Sequence, residues 1–382
     1  MGTPGLYEAA VIGGGPAGAA AALALARAGR SVLLVDATPA GQEFKVGEGL
    51  PPAALPLLRD LGALEPFLAA GHLPSFGNER AWGRDAAEIH DFIRDPNGNG
   101  WHLDRVRFDA MLRRLAQEAG AELRTGTRLR RFARAGGTWR LTLEPAERAQ
   151  ARWLIDATGR AACVARRLGA TTNHDDRQVA FTALFEPGPG APPHYDTLTL
   201  VESVPDGWWY TALLPGRRRV AAFLTDADLE TARTASKPSG FDELLARTRH
   251  VQPRLAAGGF ARITAPRGGP ASSSRLSPGH GEGWVAVGDA ALAFDPLSSQ
   301  GILTALYGGL RAAGAIHAEL AGMPGRVAGF VEELDQVHAA YRHNRQRIYA
   351  EERRWEDREL WRRRRLTPPT PGSYEASAGS YE

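Results

Sequence analysis

The sequence predicts an α/β fold (α+β mixed) in which a Rossmann-like nucleotide-binding domain is interleaved with an antiparallel β-sheet domain and followed by a C-terminal helical segment. Three observations predict it. A strand, a glycine turn, a helix and a second strand follow one another within about thirty residues of the start, which is one βαβ unit. Between Val179 and Leu224 the texture changes to short β-rich runs broken by Pro-Gly and Asp-Gly turns. Elements of nucleotide-binding type then recur in the middle and late in the chain, so the β-rich part is an insertion.

Taken in order, Glu8–Ile12 reads as a buried strand. Pro16–Ala28 reads as an alanine- and leucine-rich helix stopped by Gly29. Ser31–Asp36 is apolar enough to be buried on both faces. Pro51–Leu61 and Phe108–Ala119 have helical spacing, and Glu122–Arg124, Thr138–Leu143 and Trp153–Asp156 read as strands. The insertion contributes Val179–Phe185, Thr197–Val201, Trp208–Leu214 and Arg218–Leu224, followed by a helix at Phe241–Arg249. Trp284–Val287 is a further buried strand, ahead of a turn at Gly288–Gly301 and a helix from Ile302 to about Leu320. Val327–Arg365 is mostly helical. The expected division is 1–75, 101–170 and 271–325 for the nucleotide-binding domain and 76–100 and 171–270 for the β-sheet domain. The C-terminal helices take 326–366, and a loose Pro/Gly/Ser-rich tail takes 367–382.

Composition narrows the function class. The chain has 382 residues, 43% hydrophobic and 23% charged, with a formal charge of +3, too small to imply a field for nucleic acid. Cys163 is the single cysteine, which excludes a disulfide framework or a CxxC redox pair and suits a reducing cytoplasm. No apolar run is long enough to span a membrane. Neither HExxH nor a comparable histidine spacing is present, so no metal is expected. The expectation is a cytoplasmic protein with no nucleic-acid or membrane partner.

Three separated motifs point to one ligand. The turn Gly13–Gly18 is a GxGxxG between strand and helix; Gly13, Gly15, Ala17 and Gly18 let a pyrophosphate approach the free N–H groups of the helix start. Asp36, closing the second strand, is placed to take ribose hydroxyls. Asp156-Ala157-Thr158-Gly159-Arg160 ends a buried strand with small residues. Gly288-Asp289 and the stretch Phe294–Gly301 before a helix distinguish FAD from NAD. There Asp289 can meet a polyol chain, and the helix start at Gly301 and Ile302, with Pro296 and Ser299 before it, can face the flavin ring. Read alone, Asp289 is equally a helix N-cap.

Together these stretches resemble the flavoproteins typified by p-hydroxybenzoate hydroxylase, geranylgeranyl reductase and the flavin-dependent halogenases, from Glu8 to about Arg365. Lys45-Val46-Gly47-Glu48-Gly49-Leu50-Pro51-Pro52 is similar to the GExLPP loop on the halogenase side of that group, and Trp101–Asp109 to the group's LDRxxFD helix entry. The resemblance implies that Arg105, rather than Arg107, lies against FAD, with Glu48 beside it. "GDAALAFDPLSSQG" at 288–301 and "WHLDRVRFD" at 101–109 look most like the FAD-dependent monooxygenases related to the maturation enzyme of quinohemoprotein amine dehydrogenase. That likeness implies hydroxylation of an electron-rich aromatic, free or peptide-borne, through a flavin C4a-hydroperoxide. Electrons would come from NAD(P)H or from reduced flavin supplied by a partner reductase. The lysine that serves halogenases after the GE loop has no counterpart, since no lysine lies between Lys45 and Lys237. Halogenation, a geranylgeranyl-reductase-like reaction and a non-catalytic flavin-binding role are the alternatives.

Trp208, Tyr210, Phe294 and Ser298 are the expected substrate contacts. Strand alternation separates Trp208 and Tyr210 from Trp209, although ordinary sheet packing explains all three equally. His102 and Glu48 are candidates for general acid-base work, or simply for local hydrogen bonds. The arginine-rich stretch from Arg342 to Arg365 reads as a solvated helix held by ion pairs, with a docking surface as the rival reading.

Overall fold

In the computed structural model, residues 5–38, 45–145 and 147–365 are described. The tail expected at 367–382 lies outside them. Leu6–Ile12 is the central strand of an eight-stranded sheet, with Glu147–Asp156 on one side and Val32–Asp36 on the other. Glu122–Thr125 and Trp284–Ala286 extend it, and all four of these pairings are parallel. Registers Ile12↔Asp156, Ile12↔Val35 and Asp156↔Ala286 bring the carboxyl ends of four strands level. The turns that follow them therefore open side by side, at the edge where ligands bind in parallel α/β sheets.

The helix Pro16–Arg27 starts with proline at its first position, where no N–H is needed, and Gly29 turns the chain away with φ +75. Its alanines lie buried between the sheet and the helix Gly301–Leu320. A Cβ at Gly309 would stand 2.3 Å from the Ala17 carbonyl oxygen, so glycine sets how closely these two helices approach.

The second sheet also has eight strands. Gln178–Pro187, Arg219–Asp226, Gly207–Leu213 and Thr199–Val204 follow one another in space, then Gly77–Ala81 and Glu88–Asp91. Its pairings are antiparallel except Thr199–Val204 with Gly77–Ala81. Phe223, Trp209, Phe181 and Phe241 form the core behind it, under short helices at 230–257.

Several elements differ from expectation. The helix predicted over Pro51–Leu61 runs only Ala54–Asp60, and Leu64–Ala69 is a separate helix after Gly62, whose φ is +61. Arg128–Ala135 is a strand that the sequence reading passed over. The helix expected from Phe108 starts at Arg105, where the Asp104 side chain accepts the Arg107 N–H. Within the expected C-terminal helical segment the chain forms two helices, Arg326–Glu351 and Glu359–Arg365, which lie against both sheets.

The arginine-rich stretch is only partly a solvated face. Arg362 and Arg363 pair with Glu359 as expected, but Arg345 and Arg364 are buried or nearly so. Arg345 bridges Asp176 at 2.7 Å and Asp295 at 3.1 Å, while Arg364 reaches Asp226 at 2.6 Å.

Candidate active site

The three motifs converge on one cavity of about 950 Å³ between the sheets. Gly13–Ala17, Asp36, Ala157–Arg160 and Asp289 line one end. Ala180, Thr182, Thr199, Val201, Trp208 and Tyr210 of the second sheet line the other. Glu48, Arg105, Phe294, Pro296, Ser299, Gly301 and Ile302 stand between the two.

Three glycines of the first turn have separate reasons. A Cβ at Gly13, whose φ is +111, would lie 2.2 Å from the Ala157 carbonyl oxygen; one at Gly18 would lie 1.9 Å from that of Gly13. These two hold the first and second motifs together. Gly15 caps the helix with ordinary φ −73, and its Cβ would meet nothing within 4 Å. Open space there, above the free N–H groups of a twelve-residue helix, is a cradle that a phosphate fills and a side chain would block. Residues present at this end therefore fit a dinucleotide.

Asp36 is buried at the cavity wall, and Arg113 Nη1 lies 3.1 Å from its Oδ2 and 3.1 Å from the Gly14 carbonyl oxygen. Sequence reasoning missed Arg113; its one signal was a basic residue on the helix after the LDRxxFD entry. Gly288 is pressed against Ala17, where a Cβ would sit 2.6 Å from the Ala17 Cβ, so Asp289 does approach the N-terminal turn. Its carboxylate faces Arg160 Nε at 3.5 Å. Burial pushes the Asp289 carboxyl above its usual range, and the positive charges of Arg160 and Arg105 oppose that shift.

Arg105 borders the cavity with its guanidinium fixed. Nη1 donates to the carbonyls of Val46 and Gly47, and Nε lies 3.1 Å from Asp109. Lys45 also ends on Asp109, at 3.0 Å. Glu48 is 4% exposed, and burial raises its carboxyl above the ordinary glutamate value, against the backbone N–H groups of Glu48 and Gly47, Arg105 and the Tyr210 hydroxyl. Burial and the neighbouring Glu48 in turn drive the Tyr210 phenol well above its usual value. A carboxyl and a phenol, each pushed up by burial, thus stand side by side at the cavity.

Trp208 and Tyr210 lie on the cavity face and Trp209 packs behind against Phe223 and Phe241, as alternation requires. Two expected contacts stand outside the cavity lining. His102 is 1% exposed and sits behind Thr199, its Nε2 2.8 Å from the Thr199 hydroxyl, and burial pushes its imidazole down to about 4. Ser298 turns its hydroxyl onto the Asp295 carbonyl at 2.9 Å. Among the described residues no group of three or more His, Cys, Asp or Glu is arranged to hold a metal ion, and no helix is long and apolar enough to cross a membrane.

One feature of the site comes from far along the chain. Tyr341, Arg345 and Tyr349, spaced four apart on one helix face, all meet Asp295. Tyr341 accepts the Asp295 N–H at 2.8 Å, and Tyr349 donates to Asp295 Oδ2 at 2.8 Å. Asp295 Oδ1 accepts the Leu297 N–H, closing the turn before Gly301.

A parallel sheet with a glycine turn at its ligand edge, covered by a second sheet across an aromatic-walled cavity, defines a flavoprotein oxidoreductase. The chain belongs to the FAD binding domain family, whose model matches residues 7–327, and FAD is its cofactor. Over 366 residues it is 27% identical to LodB of Marinomonas mediterranea, a provisionally named FAD-dependent oxidoreductase, covering 94% of this chain and 96% of that one. Its fold matches the myxobacterial chondrochloren halogenase CndH with a TM-score of 0.86 at 24% identity, over 95% of this chain and 86% of the other. The peptidyl tryptophan dihydroxylase QhpG matches with a TM-score of 0.72 at 26% identity, over 96% and 80%.

Proposed function

We propose that the protein is an FAD-dependent monooxygenase that hydroxylates an electron-rich aromatic ring. The observation that carries this reading is the single cavity running from the Gly13–Gly18 turn to the Trp208 and Tyr210 face, with the Glu48–Tyr210 pair inside it. Reduced FAD supplies the oxygen-activating chemistry when bound. The chain's own work is to bind, orient and exclude water. Gly15 and the helix behind it take the pyrophosphate, Asp36 and Asp289 the hydroxyls of the two sugar chains, and Arg105 the flavin edge. Trp208 and Phe294 hold the substrate ring. Glu48 accepts the proton that leaves the ring carbon once oxygen has been added, and the Tyr210 hydroxyl steadies its carboxylate.

Kinship with QhpG, described as acting on peptidyl tryptophan, supports the aromatic acceptor. The fold shared with CndH keeps halogenation as the second reading, but Lys45, the one lysine lining the cavity, is held by Asp109 at the flavin end. The test is turnover of FAD-loaded protein with reductant, oxygen and indole-bearing probes, with and without bromide. A product heavier by one oxygen, indifferent to bromide, is expected. A brominated product would establish the second reading, and stoichiometric peroxide with every aromatic would overturn both.

A further inference from the structure

The strand Arg267–Pro270 forms an edge of the second sheet at the cavity wall, pairing among the described residues with Gln178–Pro187 alone. Its register is Thr182↔Arg267, Phe181↔Gly268, Ala180↔Gly269 and Val179↔Pro270, and the next residue, Ala271, donates its N–H to Gln178 at 2.9 Å. Hydrogen-bonded pairs in an antiparallel ladder recur at every second residue. Gly269 and Arg267 therefore turn their backbone groups inward, and Gly268 and Pro270 turn theirs to the open edge. Pro270, and Pro266 just before the strand, have no N–H to offer. The open edge thus presents one N–H, that of Gly268, beside that residue's own carbonyl.

The two glycines have different explanations. Gly268 shares a face with Phe181, and a Cβ there would press on the Phe181 ring at 3.1 Å. Gly269 shares the cavity face with Ala180. A Cβ at Gly269 would meet nothing within 4 Å, and its φ lies outside the left-handed region. Neither packing nor backbone conformation calls for glycine there, and glycine inside a strand marks a place where a ligand or another main chain comes close.

We propose that Gly268 and Gly269 are the docking site for the main chain of a peptide substrate. This rests on the reading that an aromatic ring is modified, and it selects a peptide-borne ring over a free one. One substrate residue exchanges two antiparallel hydrogen bonds with Gly268. Its neighbour, opposite Gly269, directs an aromatic side chain over the open glycine into the cavity. The flanking prolines restrict the contact to a single bridge, which suits a substrate that must leave and discourages sheet growth at the edge.

The test uses oxidised FAD-loaded protein, with the flavin absorbance change on titration as the readout of binding. Three probes are compared: 3-methylindole, the acetylated amide pentapeptide Ala-Ala-Trp-Ala-Ala, and that peptide N-methylated on both alanines next to tryptophan. Two hydrogen bonds should make the plain peptide bind roughly tenfold more tightly than 3-methylindole, and N-methylation should abolish the gain. Gly268→Pro, which removes the outward N–H and also sets a Cβ against the Phe181 ring on the face away from the cavity, should lose the same gain with 3-methylindole affinity unchanged. Gly269→Val should also weaken the peptide alone, and it carries the test should the proline variant not load FAD. A peptide that binds no more tightly than 3-methylindole, or variants that bind it like wild type, would overturn the proposal. Because no turnover is needed, absent oxygen insertion with peptide binding intact would sink the hydroxylation reading and leave this site standing.

Discussion

Glu48 and Tyr210 illustrate what a buried pair does at one end of a cavity. Burial disfavours the charged carboxylate, and the Tyr210 hydroxyl and nearby N–H groups recover part of that cost. Glu48→Gln should lower turnover by about two orders of magnitude with FAD content unchanged, as expected of a lost general base. Because the Glu48 carboxyl is raised, the acid limb of a turnover–pH profile should lie above the ordinary glutamate range and vanish in the variant. His102 has a different consequence. Its folded-state value of about 4 lies below the unfolded value near 6.5, so the unfolded chain takes up the proton first. The stability it permits is present above the unfolded value and falls as pH drops from about 6.5 toward 4, by on the order of 3 kcal/mol. Denaturant melts of His102→Gln should show a flatter acid slope; an unchanged slope would rule out this source. Glu48 was legible as a site residue from its loop. That His102 would be walled off by Thr199 was not, because nothing local records which strand lies over a side chain.

Single elements separate folding roles from binding roles. Gly13→Ala places a Cβ against the Ala157 carbonyl in a left-handed backbone, so loss of fold and of FAD together is expected. Gly15→Ala places its Cβ in open space, so its melting temperature should fall much less than that of Gly13→Ala, by no more than the loss of a glycine N-cap, while FAD affinity, read by fluorescence titration, drops at least about tenfold. The βαβ start was readable because Ala19–Arg27 is built of strong helix formers and Val32–Val35 of apolar strand residues, with glycine and proline confined to the turn and first helical positions between Gly13 and Gly18. Arg128–Ala135 was missed because it alternates only between exposed and half-buried positions, so the apolar period that signals a strand is absent. The helix over 51–61 was overextended mainly at its start, where Ala54 N–H bonds to Pro51 O and Leu55 N–H to Pro52 O, a tighter i→i+3 turn that apolar spacing does not distinguish from helix.

At the scale of the molecule, charge pairing ties the C-terminal helices to both sheets. Arg345→Met would leave Asp176 and Asp295 buried without their ion-pair partner, with only the more distant charge of Arg364 to offset them, at a cost of about 3 kcal/mol, whereas Arg362→Ala, on an exposed pair, should fall within about 0.5 kcal/mol. Chemical denaturation of both variants checks the contrast, and equal effects would mean that the buried pairs are no more than surface chemistry. The sequence reading gave both arginines the same solvated character because their partners lie 50 to 169 residues away for Arg345 and three away for Arg362. Local spacing displays the second kind of partner and hides the first.

Helix Arg326–Glu351 fastens Asp295 through Tyr341, Arg345 and Tyr349, and Asp295 shapes the turn ahead of Gly301. During synthesis, then, the coenzyme turn has emerged from the ribosome well before the clasp that rigidifies it. A nascent chain halted at residue 325 would carry all three glycine motifs without any of the three contacts that Arg326–Glu351 makes to Asp295.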